Sequence, residues 1–109
     1  MANTFKLKTK ANVGVTTVGI YTAPASTTTV VIGITMSNTS GSGVNVGVGI
    51  TRAGTTKDVK LLKNAPIPQG SSLEFMAGNK IVLEATDTVT VDSDTNNSVD
   101  AALTIMEIT

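Results

Sequence analysis

The sequence predicts an all-β protein, an antiparallel β-sandwich of jelly-roll-like or Ig-like form with eight or nine strands, and three observations lead there. Val, Ile and Thr number 13, 8 and 19, so 40 of the 109 residues are β-branched, and such side chains fit a pleated surface while crowding a helix. Apolar residues recur with a period of two in several runs, and no run keeps a helical period. Turn-forming residues interrupt these runs at roughly 8–12 residue intervals, the spacing of a sandwich or jelly roll. The length of 109 residues suits one core, with roughly 65% of the unfolded surface hidden on folding. Only Phe5, Tyr21 and Phe75 are aromatic, so that core must be built from small branched aliphatics.

Thr4 to Lys10 alternates Phe5 and Leu7 with Lys6, Lys8 and Lys10, which places apolar groups on one face of a strand and ammonium groups on the other. It reads as a half-exposed edge strand or basic arm over residues 1–12, ahead of a single domain at 13–109, its lysines discouraging stray pairing. Val13 to Tyr21 reads as a turn and a second strand, closed at Pro24, which has no N–H for a ladder. From Thr27 to Thr39, Val30, Ile32, Ile34 and Met36 share one face, and Val31, Gly33, Thr35 and Ser37 the other. The polar run from Asn38 to Gly43 marks a hairpin loop, after which Val44, Val46, Val48 and Ile50 resume the period of two, so these two strands are expected to pair antiparallel.

The turn from Ala53 to Thr56 leads to a strand over Lys57–Lys63. Pro66 and Pro68 then imply an extended crossing segment from Asn64 to Gly70, since proline is excluded from central ladders. Short strands follow at Ser72–Phe75, at Lys80–Glu84 after the turn at Ala77–Asn79, and at Thr88–Asp92 after the turn at Ala85–Asp87. The polar loop Asp92–Ser98 precedes a long closing strand at Val99–Ile108.

The composition excludes more chemistry than it offers. Eight basic and eight acidic residues leave no net charge, so no overall pull toward nucleic acid or an anionic membrane is expected. Without Cys or His there is no disulfide, thiolate nucleophile, imidazole base or histidine-bound metal. No apolar run approaches 18 residues and no signal-peptide pattern opens the chain, so a soluble protein made in a cytoplasm is expected, with no membrane partner.

Asp92, Asp94 and Asn96 stand at the first, third and fifth positions of a calcium loop, with Asp87 able to approach from a neighbouring turn. Asn97 replaces the glycine of the sharp turn, however, and Leu103 the bidentate glutamate. Gly47 and Gly49 begin a dinucleotide fingerprint, but Arg52 occupies the third glycine position and no helix follows. No Ser-x-x-Lys dyad occurs. The expectation is therefore a protein that is not an enzyme and holds no cofactor. Asn38-Thr-Ser40 and Asn96-Asn-Ser98 fit the glycosylation pattern, read here as loop residues. A sugar-binding face would need aromatic platforms that the chain scarcely has.

Two features suggest association. Residues 1–63 hold seven basic groups against Asp58, whereas residues 64–109 hold Lys80 against seven acidic groups, giving +6 and −6. Either basic strands pair with acidic ones inside one sandwich, or opposed patches draw copies head to tail. On the strand Val44–Ile50 the residues opposite the core are Asn45, Gly47 and Gly49, a nearly bare backbone open to a neighbouring subunit or to an internal bend. The candidate interface is thus Phe5, Lys6, Leu7, Lys8, Lys10, Asn45, Gly47 and Gly49.

Four stretches carry a resemblance: Ile20-Tyr-Thr-Ala-Pro24; Thr28-Thr-Val-Val-Ile-Gly-Ile34 ending in Ser37-Asn-Thr39; Leu62-Lys-Asn-Ala-Pro-Ile-Pro-Gln-Gly-Ser71; and Leu73-Glu-Phe-Met-Ala-Gly-Asn-Lys-Ile-Val-Leu-Glu84 followed by Asp87. Together they resemble small virion structural proteins of tailed bacteriophages, particularly those infecting marine cyanobacteria, from about Thr4 to Ile108. The resemblance implies a multi-copy β-sandwich of the virion. It would be a capsid decoration or cement protein bound to the major capsid protein or other virion proteins and to copies of itself. A neck, tail or fibre-associated component is the alternative, with a carbohydrate-binding module behind it. No catalytic motif is implied.

Overall fold

The computed structural model describes residues 3–55, 58–75 and 80–109, and among them nine strands form. In chain order they are β1 (Asn3–Val13), β2 (Val18–Thr22), β3 (Thr28–Asn38), β4 (Val44–Thr51), β5 (Asp58–Ile67), β6 (Ser72–Phe75), β7 (Ile81–Leu83), β8 (Thr88–Ser93) and β9 (Val99–Ile108). One sheet runs β1-β9-β3-β6, with β7 also on β3, and the other runs β2-β8-β4-β5. All pairings are antiparallel. This alternation of sheets along the chain is the double-sheet arrangement of a jelly roll, so the expected all-β sandwich is the fold.

The core follows from alternation. Val99, Ala101, Leu103 and Ile105 of β9 point inward and are buried, as are Val44, Val46, Val48 and Ile50 of β4 in the opposite sheet. With no Trp to fill space, the side chains lost from water are Val, Ile, Leu and Met36, each full burial contributing about 1.5–3 kcal/mol.

Three local expectations are corrected. The strands on either side of the Asn38–Gly43 loop do not form a hairpin: β3 pairs β6, β7 and β9, while β4 pairs β5 and β8. A period of two fixes which face is buried but not which strand lies alongside. The loop crosses between sheets, held by Asn38 Nδ2, which donates to Ser42 O at 2.8 Å and Ile67 O at 2.9 Å. Within β3, a bulge between Val31 and Gly33 turns Val31 inward beside Ile34 and Met36 and leaves Val30 and Ile32 half-buried. The single face expected for Val30, Ile32, Ile34 and Met36 is therefore split, because one inserted residue exchanges the two sides.

The third correction concerns proline. The segment expected to cross instead continues β5 through Pro66 to Ile67, Pro66 facing Asn45 and Ala65 facing Val46. An edge strand leaves one side of its backbone unpaired, and there a missing N–H costs nothing. Crossing begins only at Pro68. The turn expected at Ala77–Asn79, Thr56 of the turn before β5 and Lys57 of the expected strand lie outside the described residues.

Candidate functional site

The edge strand β1 pairs along its length with β9, Phe5 opposite Met106, Lys6 opposite Ile105, Lys8 opposite Leu103 and Lys10 opposite Ala101. Directly opposed residues share a face, so the three lysines lie on the side of the buried Ile105, Leu103 and Ala101. Phe5 and Leu7 lie on the outer side, 69% and 65% exposed. Of the three lysines, Lys8 is half-buried and Lys6 and Lys10 are exposed. Lys6 Nζ stands 2.9 Å from Glu107 Oε1, whose side chain is only 8% exposed. Tyr21 donates to Glu107 Oε2 at 2.6 Å and shares a 2.9 Å bond with Thr29 Oγ1. The Tyr21 and Lys6 bonds hold the Glu107 carboxyl below its ordinary range, and burial, with the Glu107 bond next, pushes the Tyr21 hydroxyl up to about 12.

The glycine face of β4 is not bare. Gly47 and Gly49 are buried, and only Asn45 is exposed. A Cβ on Gly47 would stand 2.6 Å from Asp92 Oδ1, and one on Gly49 would stand 2.6 Å from both Asp58 carboxylate oxygens. Lys60 Nζ bridges these carboxylates, 2.7 Å from Asp58 Oδ2 and 3.0 Å from Asp92 Oδ2. Thr90 at 2.8 Å and Thr51 at 3.4 Å donate to Asp58, and Thr17 at 2.9 Å donates to Asp92. The face left open to a neighbouring subunit or an internal bend is covered instead by carboxylates of the chain's own β5 and β8. Burial pushes the Asp58 carboxyl up, but Lys60 and the Thr90 and Thr51 hydroxyls outweigh it and the net direction is down.

A third cluster centres on Asp87, which is 2% exposed. Its carboxylate accepts from Ala53 N, from Glu84 N and from Arg52 Nε at 2.9, 2.9 and 3.1 Å. Arg52 also reaches Glu84 at 2.7 Å. Burial opposes ionisation of Asp87, yet the two backbone N–H groups and the guanidinium together hold its carboxyl low. These contacts tie the turn after β4 to the turn before β8.

The acidic loop is likewise occupied from within. Asp94 Oδ1 accepts from Asn45 N at 3.1 Å, and Asn96 Oδ1 from Val15 N at 3.4 Å. Asp92 is held by Lys60 and Thr17, and Asp87 lies in its own cluster. Among the described residues no three acidic groups are grouped to hold a metal. Asn38, of the first glycosylation pattern, is buried with its amide spent on two carbonyls.

Among the described residues, four of the five ion pairs join the basic first half to the acidic second, Lys6 to Glu107, Arg52 to Glu84 and Asp87, and Lys60 to Asp92. Pairing inside one sandwich therefore absorbs much of the +6 and −6 asymmetry. Tyr21, Glu107 and Asp87 were not singled out as a locking set by sequence reasoning. The signal for Glu107 was present: it continues the inward series Val99, Ala101, Leu103 and Ile105.

No family model matches this sequence, and comparison with curated proteins finds no match. Among solved structures, one described as Bacillus endospore appendages forming a family of disulfide-linked pili is similar, with a TM-score of 0.60 and 16% identity. The similarity covers 99% of this chain and 87% of that one. At that identity the likeness is one of fold, and a sandwich fold serves many unrelated functions.

Proposed function

We propose that this chain is a non-enzymatic structural subunit of a multi-copy assembly, a bacteriophage virion protein that decorates the capsid and stabilises the shell through protein–protein contacts. The observation that carries the reading is the outer face of the β1-containing sheet, where Phe5, Leu7 and Val82 are 69%, 65% and 59% exposed. Exposed large apolar side chains at both edges of one sheet face, joined by the half-buried Met106 and Val30, support a surface that another polypeptide covers. The ion-paired clusters, by contrast, are engaged in holding strands and turns together. A decoration protein acts because rupture of the shell must first break every copy's contacts, so modest individual affinities add up over the lattice.

The test is binding of the purified chain to shells of the major capsid protein, followed by sedimentation and by the temperature at which the shells rupture. Saturable binding with a raised rupture temperature is expected, reduced by Phe5→Asp together with Leu7→Asp. Absence of binding, and of the chain from purified virions, overturns the reading.

A neck or tail station and an appendage subunit are alternatives, the latter favoured by the similar pilus structure. These 109 residues contain no cysteine, so any fibre they build would be held without disulfides. Negative-stain microscopy of the concentrated chain distinguishes fibres from shell-bound copies.

A further inference from the structure

β1 stands at one end of its sheet, so the backbone on its side away from β9 has no partner strand among the described residues. Nine of its eleven residues are exposed. Such an edge is a template for another chain, and the alternate side chains decide which chain it accepts. On β1 the two sides differ in kind. Phe5, Leu7 and Thr9 lie on the outer face, and Lys6, Lys8 and Lys10 on the core-facing side. Glu107 already holds Lys6 at 2.9 Å, whereas neither Lys8 nor Lys10 has an ion-pair partner among the described residues.

We propose that this edge takes an extended segment of another protein, bearing acidic and apolar residues, which adds antiparallel to β1 as a further strand of the sheet. This deepens the structural-subunit reading above and rests on it, naming the kind of segment that holds the subunit in place. Directly opposed residues share a face, so the partner sets acids opposite Lys10 and Lys8 and apolar side chains opposite Leu7 and Phe5. Along the partner the order is acidic, variable, acidic, apolar, polar, apolar. Its two acids, like the two lysines, stand about 7 Å apart. Its apolar pair flanks Phe5 and Leu7, the two most exposed large apolar side chains among the described residues.

The chain's own edge strands do not supply that pattern. β2 and β7 contain no acid. β6 sets Glu74 opposite Thr35 on the outer face, and β5 sets Asp58 opposite Thr51, beside Gly49, on the outer side of the other sheet. Neither acid is on the core-facing side, where the lysines are. Contact between the β1 strands of two copies about a two-fold axis opposes lysine to lysine, which is unfavourable. The lysines that bar self-pairing therefore admit an acidic strand, and the occupant is a different polypeptide, not a second copy.

Titration with a peptide carrying Glu-Thr-Glu-Val-Thr-Val at its centre, followed by amide NMR, tests this. Saturable binding is expected, with hydrogen exchange slowed over residues 4–10. The peptide with both glutamates replaced by lysine, or N-methylated where its N–H groups would face β1, should bind about 10-fold more weakly or worse. The N-methylated arm separates strand addition from charge attraction alone. Lys8→Glu with Lys10→Glu should lose the glutamate peptide and gain the lysine one, and the peptide arms stand if that variant misfolds. Absence of saturable binding, slowed exchange elsewhere than on β1, or equal binding of the N-methylated peptide overturns the proposal. Shells that bind the chain and are not displaced by the peptide also overturn it, while leaving the decoration reading in place. Peptide binding without shell binding does the reverse.

Discussion

Tyr21 and Glu107, 86 residues apart, are joined by a 2.6 Å hydrogen bond in which the phenol donates to a carboxylate sealed beneath the edge of the sandwich. The bond links the two sheets, β2 in one and β9 in the other, and Lys6 extends it to β1. Removing the hydroxyl with Tyr21→Phe keeps the ring packing but leaves Glu107 and Thr29 each short of a partner. A loss of about 1.5–3 kcal/mol is expected in urea unfolding, the range for a hydrogen bond to a charged group. A loss below about 0.5 kcal/mol would show that water replaces the phenol.

Stability should fall at both ends of the pH scale. Glu107, Asp87 and Asp58 are held below their ordinary values, so their contribution is complete above the unfolded value of about 4 and is lost as pH falls through the lower folded values. Tyr21 is raised to about 12 from 10.0. Its neutral form is the stabilised one, so its contribution is complete below pH 10 and fades between pH 10 and 12, on the order of 2 kcal/mol in all. Lys60 is raised as well, its desolvation outweighed by Asp58 and Asp92, and its share is likewise lost at high pH. Chemical unfolding across pH checks both limbs, and Tyr21→Phe should flatten the alkaline one.

Gly47→Ala and Gly49→Ala should each destabilise by about 1–3 kcal/mol, the cost of overpacking. The new methyl would strike the Asp92 or Asp58 carboxylate at 2.6 Å and pull it from Lys60. Gly33→Ala is the control: nothing lies within 4 Å of the place its Cβ would take, and a change within about 0.5 kcal/mol is expected. Thermal unfolding of the three variants ranks them.

Asp87→Ala strands two backbone N–H groups and should cost about 2–3 kcal/mol. Arg52→Ala should cost clearly less, because the guanidinium is half exposed and such pairs are screened. Equal losses in the two variants would mean that the ion pair, not the backbone bonds, holds this turn.

Thr86 sits between Ala85 and Asp87 at φ 67°, a conformation costly for a β-branched residue. Its N–H donates to Ala23 O at 2.8 Å, so the turn keeps its shape despite the strain. Thr86→Gly should raise stability by about 0.5–1 kcal/mol, read as a shifted urea midpoint at constant slope. A lowered midpoint would mean that the threonine side chain contributes more than its backbone costs.

The sandwich was legible because alternation is a local property. Val44, Val46, Val48 and Ile50 are buried as their spacing requires, and the closing strand appears over Val99–Ile108. Neighbour relations were not legible, since β3 and β4 carry compatible patterns yet belong to different sheets. Nor could spacing reveal that the small residues Gly47 and Gly49 make room for carboxylates from β5 and β8, because those partners are fixed only by the folded register. For β1, alternation separated Phe5 and Leu7 from the lysines but could not say which side faces the core.

The placement of β9 between β1 and β3 also governs how the molecule can be made. β9 fills the middle of its sheet, so among the described strands β1 has no ladder partner, and β3 only β6 and β7, until translation has passed residue 108. Such distant pairings close slowly, and an interrupted nascent chain would offer the open edges of β1 and β3 to its neighbours, a route to aggregation.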